Sequence, residues 1–132
     1  MLEDDASSIE RNTSKPIRSH RDLIVWQKAI ELAVTVYSVS ESFPRSETYG
    51  LTSQIRRAVS SVPANIAEGQ GRRLRGEYLN FLGNARGSLW ELDTHLELAV
   101  RLHYLTPPQH LSLTDRMNEV GRLLNGLIRA LK

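Results

Sequence analysis

Six arginines are the residues of this sequence best suited to chemistry, and the chemistry they favour is phosphate binding. They are Arg56, Arg57, Arg72, Arg73, Arg75 and Arg86. A guanidinium is planar and donates two parallel hydrogen bonds to a phosphate, and a set of such contacts makes binding strongly salt-dependent. The alternative is that these arginines only form salt bridges. Their partners would then be Glu47, Glu68, Glu77 and Glu91.

Glu68 is an acidic residue close to this arginine set. It lies near the C-terminal end of a predicted helix, where the helix dipole disfavours a carboxylate. We therefore expect Glu68 to pair with Arg72, Arg73 or Arg57 rather than to act in catalysis. Together with the nearby Asn65, it is interpreted as a structural residue.

Catalytic and metal-binding patterns are incomplete in this sequence. The chain contains no cysteine, which excludes disulfides and thiolate chemistry. His95 and His103 lie two helical turns apart, and no carboxylate is placed to complete a metal site with them. Ser60 lacks a strand–Ser–helix elbow, and Gly69-x-Gly71 lacks the third glycine of a dinucleotide-binding loop. We therefore expect no catalytic residue, no metal and no cofactor.

The charge is divided unevenly along the chain. Residues 1–10 contain four acidic residues and no basic residue, which leaves 17 basic and 11 acidic residues for positions 11–132, a net charge of +6. A basic body is compatible with binding nucleic acid or another polyanion. The N-terminus has no signal-peptide pattern, and no apolar run approaches the roughly 18 residues of a membrane span. We expect a cytoplasmic protein without a membrane partner.

Apolar residues recur at steps of three and four along four segments, which is the spacing of amphipathic helices. The helices are predicted to begin after Ser19 or Asp22, at Leu51, between Leu74 and Glu77, and after Thr106. The first three are predicted to end near Ser42, Gly69-x-Gly71 and Tyr104. Short connections make sequential helices antiparallel neighbours. The predicted fold is all-α, an up-down-up-down four-helix bundle over residues 19–132, behind a flexible polar tail over residues 1–18.

Each predicted helix has a core-facing stripe. The first centres on Trp26, Ala29, Ile30, Ala33, Val36, Tyr37 and Phe43, widened by Val25, Leu32 and Val39. The second contains Leu51, Ile55, Ala58, Val62 and Ile66. The third contains Tyr78, Leu82, Ala85, Leu89, Leu92, Leu96, Ala99 and His103. The fourth contains Leu113, Met117, Val120, Leu124, Leu127 and Leu131. Pro63 should kink the second helix, and Gly69-x-Gly71 should stop it.

Three features predict self-association. The back of the second helix carries short side chains, at Ser60, Ala64 and Ala67, which lets another backbone approach. Gly83 and Gly87 form a strip on the third helix that has no side chains. Trp90 and Leu98 lie far from the third helix's core stripe at 100° per residue. These residues are the predicted interface of a homo-oligomer.

A resemblance to a known family rests on several motifs. The stretch Gln54-Ile-Arg-Arg-Ala-Val-Ser-Ser-Val-Pro-Ala-Asn-Ile-Ala-Glu-Gly69 resembles the small bacterial four-helix-bundle proteins encoded in intervening sequences of 23S rRNA genes. The accessory variability proteins of diversity-generating retroelements are relatives of that family. Asp22-Leu-Ile-Val-Trp-Gln-Lys-Ala29 and Gly87-Ser-Leu-Trp-Glu-Leu92 also match, as do Phe43-Pro44, Glu47 and Tyr49-Gly50-Leu51. The match covers about residues 20–131, but Leu74 replaces the serine that often caps the third helix.

The resemblance implies a homopentameric ring, no enzymatic activity, and nucleic-acid binding through basic surface. The retroelement relatives also bind a reverse transcriptase, which makes such a protein a further possible partner. The function predicted from the sequence is therefore a non-catalytic, oligomeric RNA- or DNA-binding protein. The alternative is a protein-interaction scaffold or accessory subunit that does not bind nucleic acid.

Overall fold

The computed structural model describes residues 16–132, so most of the predicted tail lies outside the described residues. Over this range the chain forms four long helices and no strand. They are α1 (Ile24–Ser40), α2 (Leu51–Gln70), α3 (Arg75–Arg101) and α4 (Pro107–Leu131). Single turns of 3-10 helix at His20–Asp22 and Arg45–Glu47 precede α1 and α2. The all-α prediction is confirmed.

The four helices enclose one apolar core. Helix α1 packs against α2 and α4, and α3 packs against the same two helices, as expected for an up-down-up-down bundle. The largest fully buried side chains come from all four helices and include Leu32, Ile55, Ile66, Leu82, Leu92, Leu96, Leu113 and Leu124. Lys28 of α1 and Glu119 of α4 form an ion pair of 3.6 Å between the first and last helices.

Helix α2 buries the predicted stripe in full. Leu51, Ile55, Ala58, Val62 and Ile66 are all buried, and the helix continues through Pro63, which is itself buried. The stripe and the proline thus both face the core.

Helix α2 ends at Gln70, within the predicted stop Gly69-x-Gly71. Gly69 lies within α2, and the C-cap is Gly71. A Cβ atom at position 69 would lie 2.9 Å from the Cβ of Phe81 and 3.2 Å from the carbonyl oxygen of Tyr78. Residue 69 is therefore a glycine because the start of α3 passes too close to α2 for any side chain.

The core stripe of α1 is rotated from the predicted one. Val25, Ala29, Leu32 and Val36 are buried, whereas Tyr37 is exposed. The helix is apolar around most of its circumference, so two neighbouring lines of residues have the same three-and-four spacing. Contacts with α2 and α4 decide between them, and spacing alone cannot.

The stripe predicted for α3 is buried from Leu82 to Ala99, but it does not extend to His103. The helix ends at Arg101, and His103 is exposed with φ of 66°. Its N–H donates to the carbonyl of Val100, and the N–H of Tyr104 donates to that of Ala99, which is a Schellman ending. His103 thus occupies the left-handed position that glycine usually fills, and it is not a core histidine.

The N-terminal caps agree with the sequence at α3 and α4 and differ at α1. Thr106 caps α4 in a capping box with Gln109, and proline follows at the first helical position. Ser19 caps the short 3-10 turn rather than α1. Leu74 occupies the N-cap of α3 without a side-chain hydrogen bond, as expected for a residue that cannot accept one.

Candidate nucleic-acid interface

The six predicted arginines do not form one patch, because α2 separates them along the bundle. Arg57 and Arg72 are fifteen residues apart, which corresponds to roughly 22 Å along a helix. We call the end that contains the connections 41–50 and 102–106 the loop end. The end that contains the connection 71–74 and the C-terminus of α4 is the turn end. Hydrogen bonds across each end join its parts, Glu47 to Tyr104 at the loop end and Arg75 to Leu131 at the turn end.

At the turn end, two of three arginines are held by the protein. Arg72 donates to the Glu68 carboxylate at 2.6 Å, and its guanidinium lies 4.8 Å from the centre of the Phe81 ring. The pairing expected for Glu68 is thus made by Arg72. Arg75 donates to the carbonyl oxygen of Leu131 at 3.2 Å, where a basic side chain satisfies the last turn of α4. Arg73 is exposed and forms no ion pair with any residue in the described range.

At the loop end, Arg56 ties α1 to α2. Its Nε donates to the Ser40 hydroxyl at 2.9 Å and one terminal nitrogen donates to the carbonyl of Tyr37 at 3.1 Å. The guanidinium also lies 4.7 Å from the centre of the Tyr37 ring and 3.6 Å from the Glu41 carboxylate. The neighbouring Arg57 is exposed, and no ion pair joins it to the part of the chain that the structure describes.

Arg86 lies between the two ends, on α3. It donates to the side-chain oxygen of Asn125 on α4 at 3.1 Å and lies 5.5 Å from the centre of the Trp90 ring. Of the six arginines, four thus have protein partners, and Arg57 and Arg73 have none among residues 16–132. An arginine in a single hydrogen bond still has other N–H groups that can reach a phosphate.

Two of the four acidic residues considered as partners are used elsewhere. Glu47 accepts hydrogen bonds from the backbone N–H of Leu51 at 3.0 Å and from the Tyr104 hydroxyl at 2.9 Å. Both bonds favour the carboxylate, so they lower the pKa of Glu47, and the bond to Glu47 raises the pKa of Tyr104. Glu91 lies 3.4 Å from His95. The salt-bridge interpretation therefore holds for Glu68 and fails for Glu47, which acts as the cap of α2.

The loop end also contains a cleft that the sequence did not reveal. It has a volume of about 650 Å³ and lies between the end of α1, the connection 41–50 and the first turns of α2. Arg45 and Thr52 line it together with Arg56 and Arg57. Arg45 belongs to the same basic region as Arg57, but the path of a ten-residue connection cannot be inferred from residue spacing.

The residues predicted for self-association lie on outward faces of α2 and α3. Gly83 and Gly87 have open space where a Cβ would be, and Trp90 and Leu98 are 65% and 47% exposed. On α2, Ser60 and Ala64 are exposed and Ala67 is half-buried. A hydrogen bond of 2.8 Å between the hydroxyls of Ser61 and Ser88 brings the two strips side by side. Asn65 donates to the same Ser61 hydroxyl at 2.9 Å, which gives it a structural role.

The described residues contain no cluster of three His, Asp or Glu side chains suited to a metal ion. None of the helices within residues 16–132 is long and apolar enough to cross a membrane. The fold and these surfaces define an all-α helical-bundle protein with arginines at both ends of the bundle.

A comparison with protein families identifies the family to which this bundle belongs. The model of the 23S rRNA-intervening sequence protein family matches residues 21–126, and the chain belongs to that family. The resemblance predicted from the motifs is confirmed. None of the proteins with curated descriptions matches the chain.

A solved structure supports the same assignment. It is the crystal structure of a protein of unknown function from the S23 ribosomal protein family of Bacteroides thetaiotaomicron VPI-5482. The two chains are 28% identical and superpose with a TM-score of 0.74 over 80% of this chain and 96% of that one. The bundle is therefore shared over nearly the whole length of that protein.

Proposed function

We propose that this protein is a non-catalytic homo-oligomer that binds RNA or DNA through arginine side chains. The observation that carries the proposal is the state of Arg57 and Arg73. Both are exposed, and neither has an acidic partner in residues 16–132. A guanidinium without a partner gives up no salt bridge when it binds a phosphate, so its contact contributes fully to affinity.

Assembly would multiply these contacts. A second subunit can pack on the face of α3 that carries the open glycine strip and the exposed Trp90 and Leu98. Exposed apolar side chains beside a backbone without side chains favour the close approach of another helix. Each added subunit repeats Arg57 and Arg73, and simultaneous contacts raise the effective concentration of the remaining ones. The pentameric ring implied by the family resemblance is the assembly that we propose.

The same face supports a second candidate function, that of a scaffold for a protein partner. Trp90 is 65% exposed, and a cleft of about 480 Å³ beside it runs between α3 and α4. Tryptophan is common at the centres of protein interfaces. In this case the partner would be a protein such as a reverse transcriptase, and the arginines would contribute only solubility.

A salt titration tests nucleic-acid binding. Affinity for a labelled structured RNA is measured at several salt concentrations for the wild type and for the double variant Arg57→Ala/Arg73→Ala. The plot of log affinity against log salt should be steep for the wild type. In the variant it should be shallower by about one for each phosphate that the protein no longer binds.

Arg72→Ala/Arg86→Ala is the matched control, because those two guanidiniums have protein partners. It should change the slope less than the first double variant. Absence of binding at low salt would overturn nucleic-acid binding and favour the scaffold. Light scattering on the same samples tests assembly, and a monomer at micromolar concentration would contradict the oligomer.

A further inference from the structure

The loop-end cleft holds more hydrogen-bond donors than the fold uses. Arg45, Arg56 and Arg57 line it, and Glu41 is the acidic side chain among its lining residues. Arg45 and Arg57 have no ion pair with the described residues, and Arg56 is held by Ser40 and Tyr37. One guanidinium is thus fixed in place beside two that can move, which leaves an excess of positive charge in a partly enclosed space.

Thr52 provides an independent sign of a missing ligand. The residue lines the cleft and is only 8% exposed, yet its hydroxyl has no hydrogen-bond partner among residues 16–132. A buried hydroxyl without a partner costs free energy, and most buried polar atoms in proteins avoid it. Thr35 and Thr94, by contrast, donate to the carbonyl one helical turn earlier, those of Glu31 and Trp90. The Thr52 hydroxyl is therefore a donor without an acceptor beside the cleft, and because its oxygen is closed off from solvent, a side-chain rotation would bring it to a bound ligand.

The start of α2 adds donors on the same side. The first backbone N–H groups of a helix have no acceptor within the helix, and the dipole makes this end positive. Glu47 satisfies the N–H of Leu51. The N–H groups of Thr52 and Ser53 take part in none of the backbone hydrogen bonds outside the helices. Both residues line the cleft.

We propose that the loop-end cleft binds a phosphate monoester, the group at the 5′ end of a nucleic-acid strand. This inference rests on the proposed function and specifies one of its sites. A monoester carries nearly two negative charges and three terminal oxygens, whereas an internal phosphodiester carries one charge and two. The monoester matches the donors of the cleft better, because they comprise two guanidiniums without ion pairs, a third that is held in place, and the Thr52 hydroxyl. Tyr49, which is 97% exposed on the rim, provides a ring on which the terminal base can stack.

Fluorescence polarisation with one single-stranded oligonucleotide, prepared with a 5′-phosphate or a 5′-hydroxyl, tests the site on the full-length protein. The phosphorylated strand should bind about tenfold tighter or better, since it adds several charge-assisted hydrogen bonds. Arg45→Ala and Thr52→Val should remove most of that preference, and Thr52→Val, which changes no charge, should leave the affinity for the 5′-hydroxyl strand unchanged. Thr94→Val is the matched control and should keep the preference. Adenosine 5′-monophosphate should compete with the phosphorylated strand if the terminal nucleotide alone is recognised.

Thr52→Val also separates a binding role from a structural one. Because the hydroxyl has no partner, its replacement by a methyl group should raise the melting temperature while it weakens binding of the phosphorylated strand. Equal affinity of the wild type for the two strands would overturn the monoester site. If Arg57→Ala/Arg73→Ala still weakened binding of both strands in that case, the proposed function would stand. Binding of adenosine 5′-monophosphate without binding of either strand would support the site and overturn the proposed function.

Discussion

The two ends of the bundle are closed in different ways. At the turn end, α2 and α3 are joined by four residues, and the backbone of α3 passes close over Gly69. At the loop end, longer connections are held by side chains, through the bonds of Glu47 to Leu51 and Tyr104. Both ends nevertheless keep an open cleft, of about 690 Å³ beside Arg72 and Arg73 at the turn end and of about 650 Å³ at the loop end. The ends differ in how their arginines are held: Arg72 and Arg75 have protein partners at the turn end, whereas Arg45 and Arg57 at the loop end have no ion pair with residues 16–132.

The largest effect is expected from filling the close approach at the turn end. Gly69→Ala should lower the free energy of unfolding by about 1–3 kcal/mol, because the new Cβ meets the Cβ of Phe81 and the backbone of Tyr78, which cannot move aside cheaply. Chemical denaturation measures this change.

Gly87→Ala is the control for that prediction. It has open space around the new Cβ, so in a monomer it should stabilise by up to about 1 kcal/mol through helix propensity. An equal effect of the two substitutions would contradict the close packing at Gly69. A loss of assembly in Gly87→Ala, seen by light scattering, would place the α3 face in a subunit interface.

A smaller effect, in the stabilising direction, is expected at the loop end from replacing His103, which has a left-handed backbone just after α3. His103→Gly should raise the free energy of unfolding by about 0.5–1 kcal/mol. A left-handed backbone costs a residue with a Cβ roughly 1–2 kcal/mol, and glycine does not have this cost. Part of the gain is offset because the unfolded chain has more conformational entropy with glycine. Thermal denaturation measures the change. Leu102→Gly, one residue earlier at φ of −84°, should not stabilise.

The smallest effect concerns the charge on the Glu47 tether, and it depends on pH. Hydrogen bonds lower the pKa of Glu47 in the folded protein. The charged carboxylate therefore stabilises the fold at pH values above the ordinary glutamate pKa of about 4.3. This contribution is lost as the pH falls through the lower pKa of the folded state. Glu47→Gln should therefore lower the melting temperature at pH 7, with a difference from wild type that shrinks toward pH 3.

Glu97→Gln gives the comparison for Glu47. The pKa of Glu97 is also lowered, chiefly by the hydrogen bond from Arg101 on the same helix, and Glu97 also lies 3.7 Å from His110 of α4. Its loss should affect the melting temperature less, because no connection is released. A pH-independent difference for Glu47→Gln would show that shape rather than charge makes the tether.

The sequence was sufficient for the helices because their apolar spacing is regular. It predicted the buried stripe of α2, the Thr106 cap and the pairing of Glu68 with an arginine, all of which depend on residues close in the chain. It misplaced the core face of α1 and made His103 a core residue, because those outcomes depend on neighbouring helices and on where α3 stops.

The candidate site was less accessible to the same reasoning. Arg57 and Arg73 were identified with four other arginines, but spacing cannot tell which guanidinium will find a partner. Arg45 and Thr52 were missed, since one lies in a connection of irregular path and the other looks like an ordinary helix residue. Only the positions of the connection 41–50 and α2 bring them to one cleft.

The hydrogen bond between Glu47 and Tyr104 limits how the chain can be cut or lengthened. It joins two connections that are 57 residues apart in sequence, and the same carboxylate caps α2. An insertion in either connection would displace one partner of this bond, and an insertion between Glu47 and Leu51 would also take the acceptor away from the first N–H of α2. Surface loops usually tolerate insertions and are favoured for domain insertion or new chain termini. In this bundle the two loop-end connections behave as one unit, and only paired changes in their lengths preserve it.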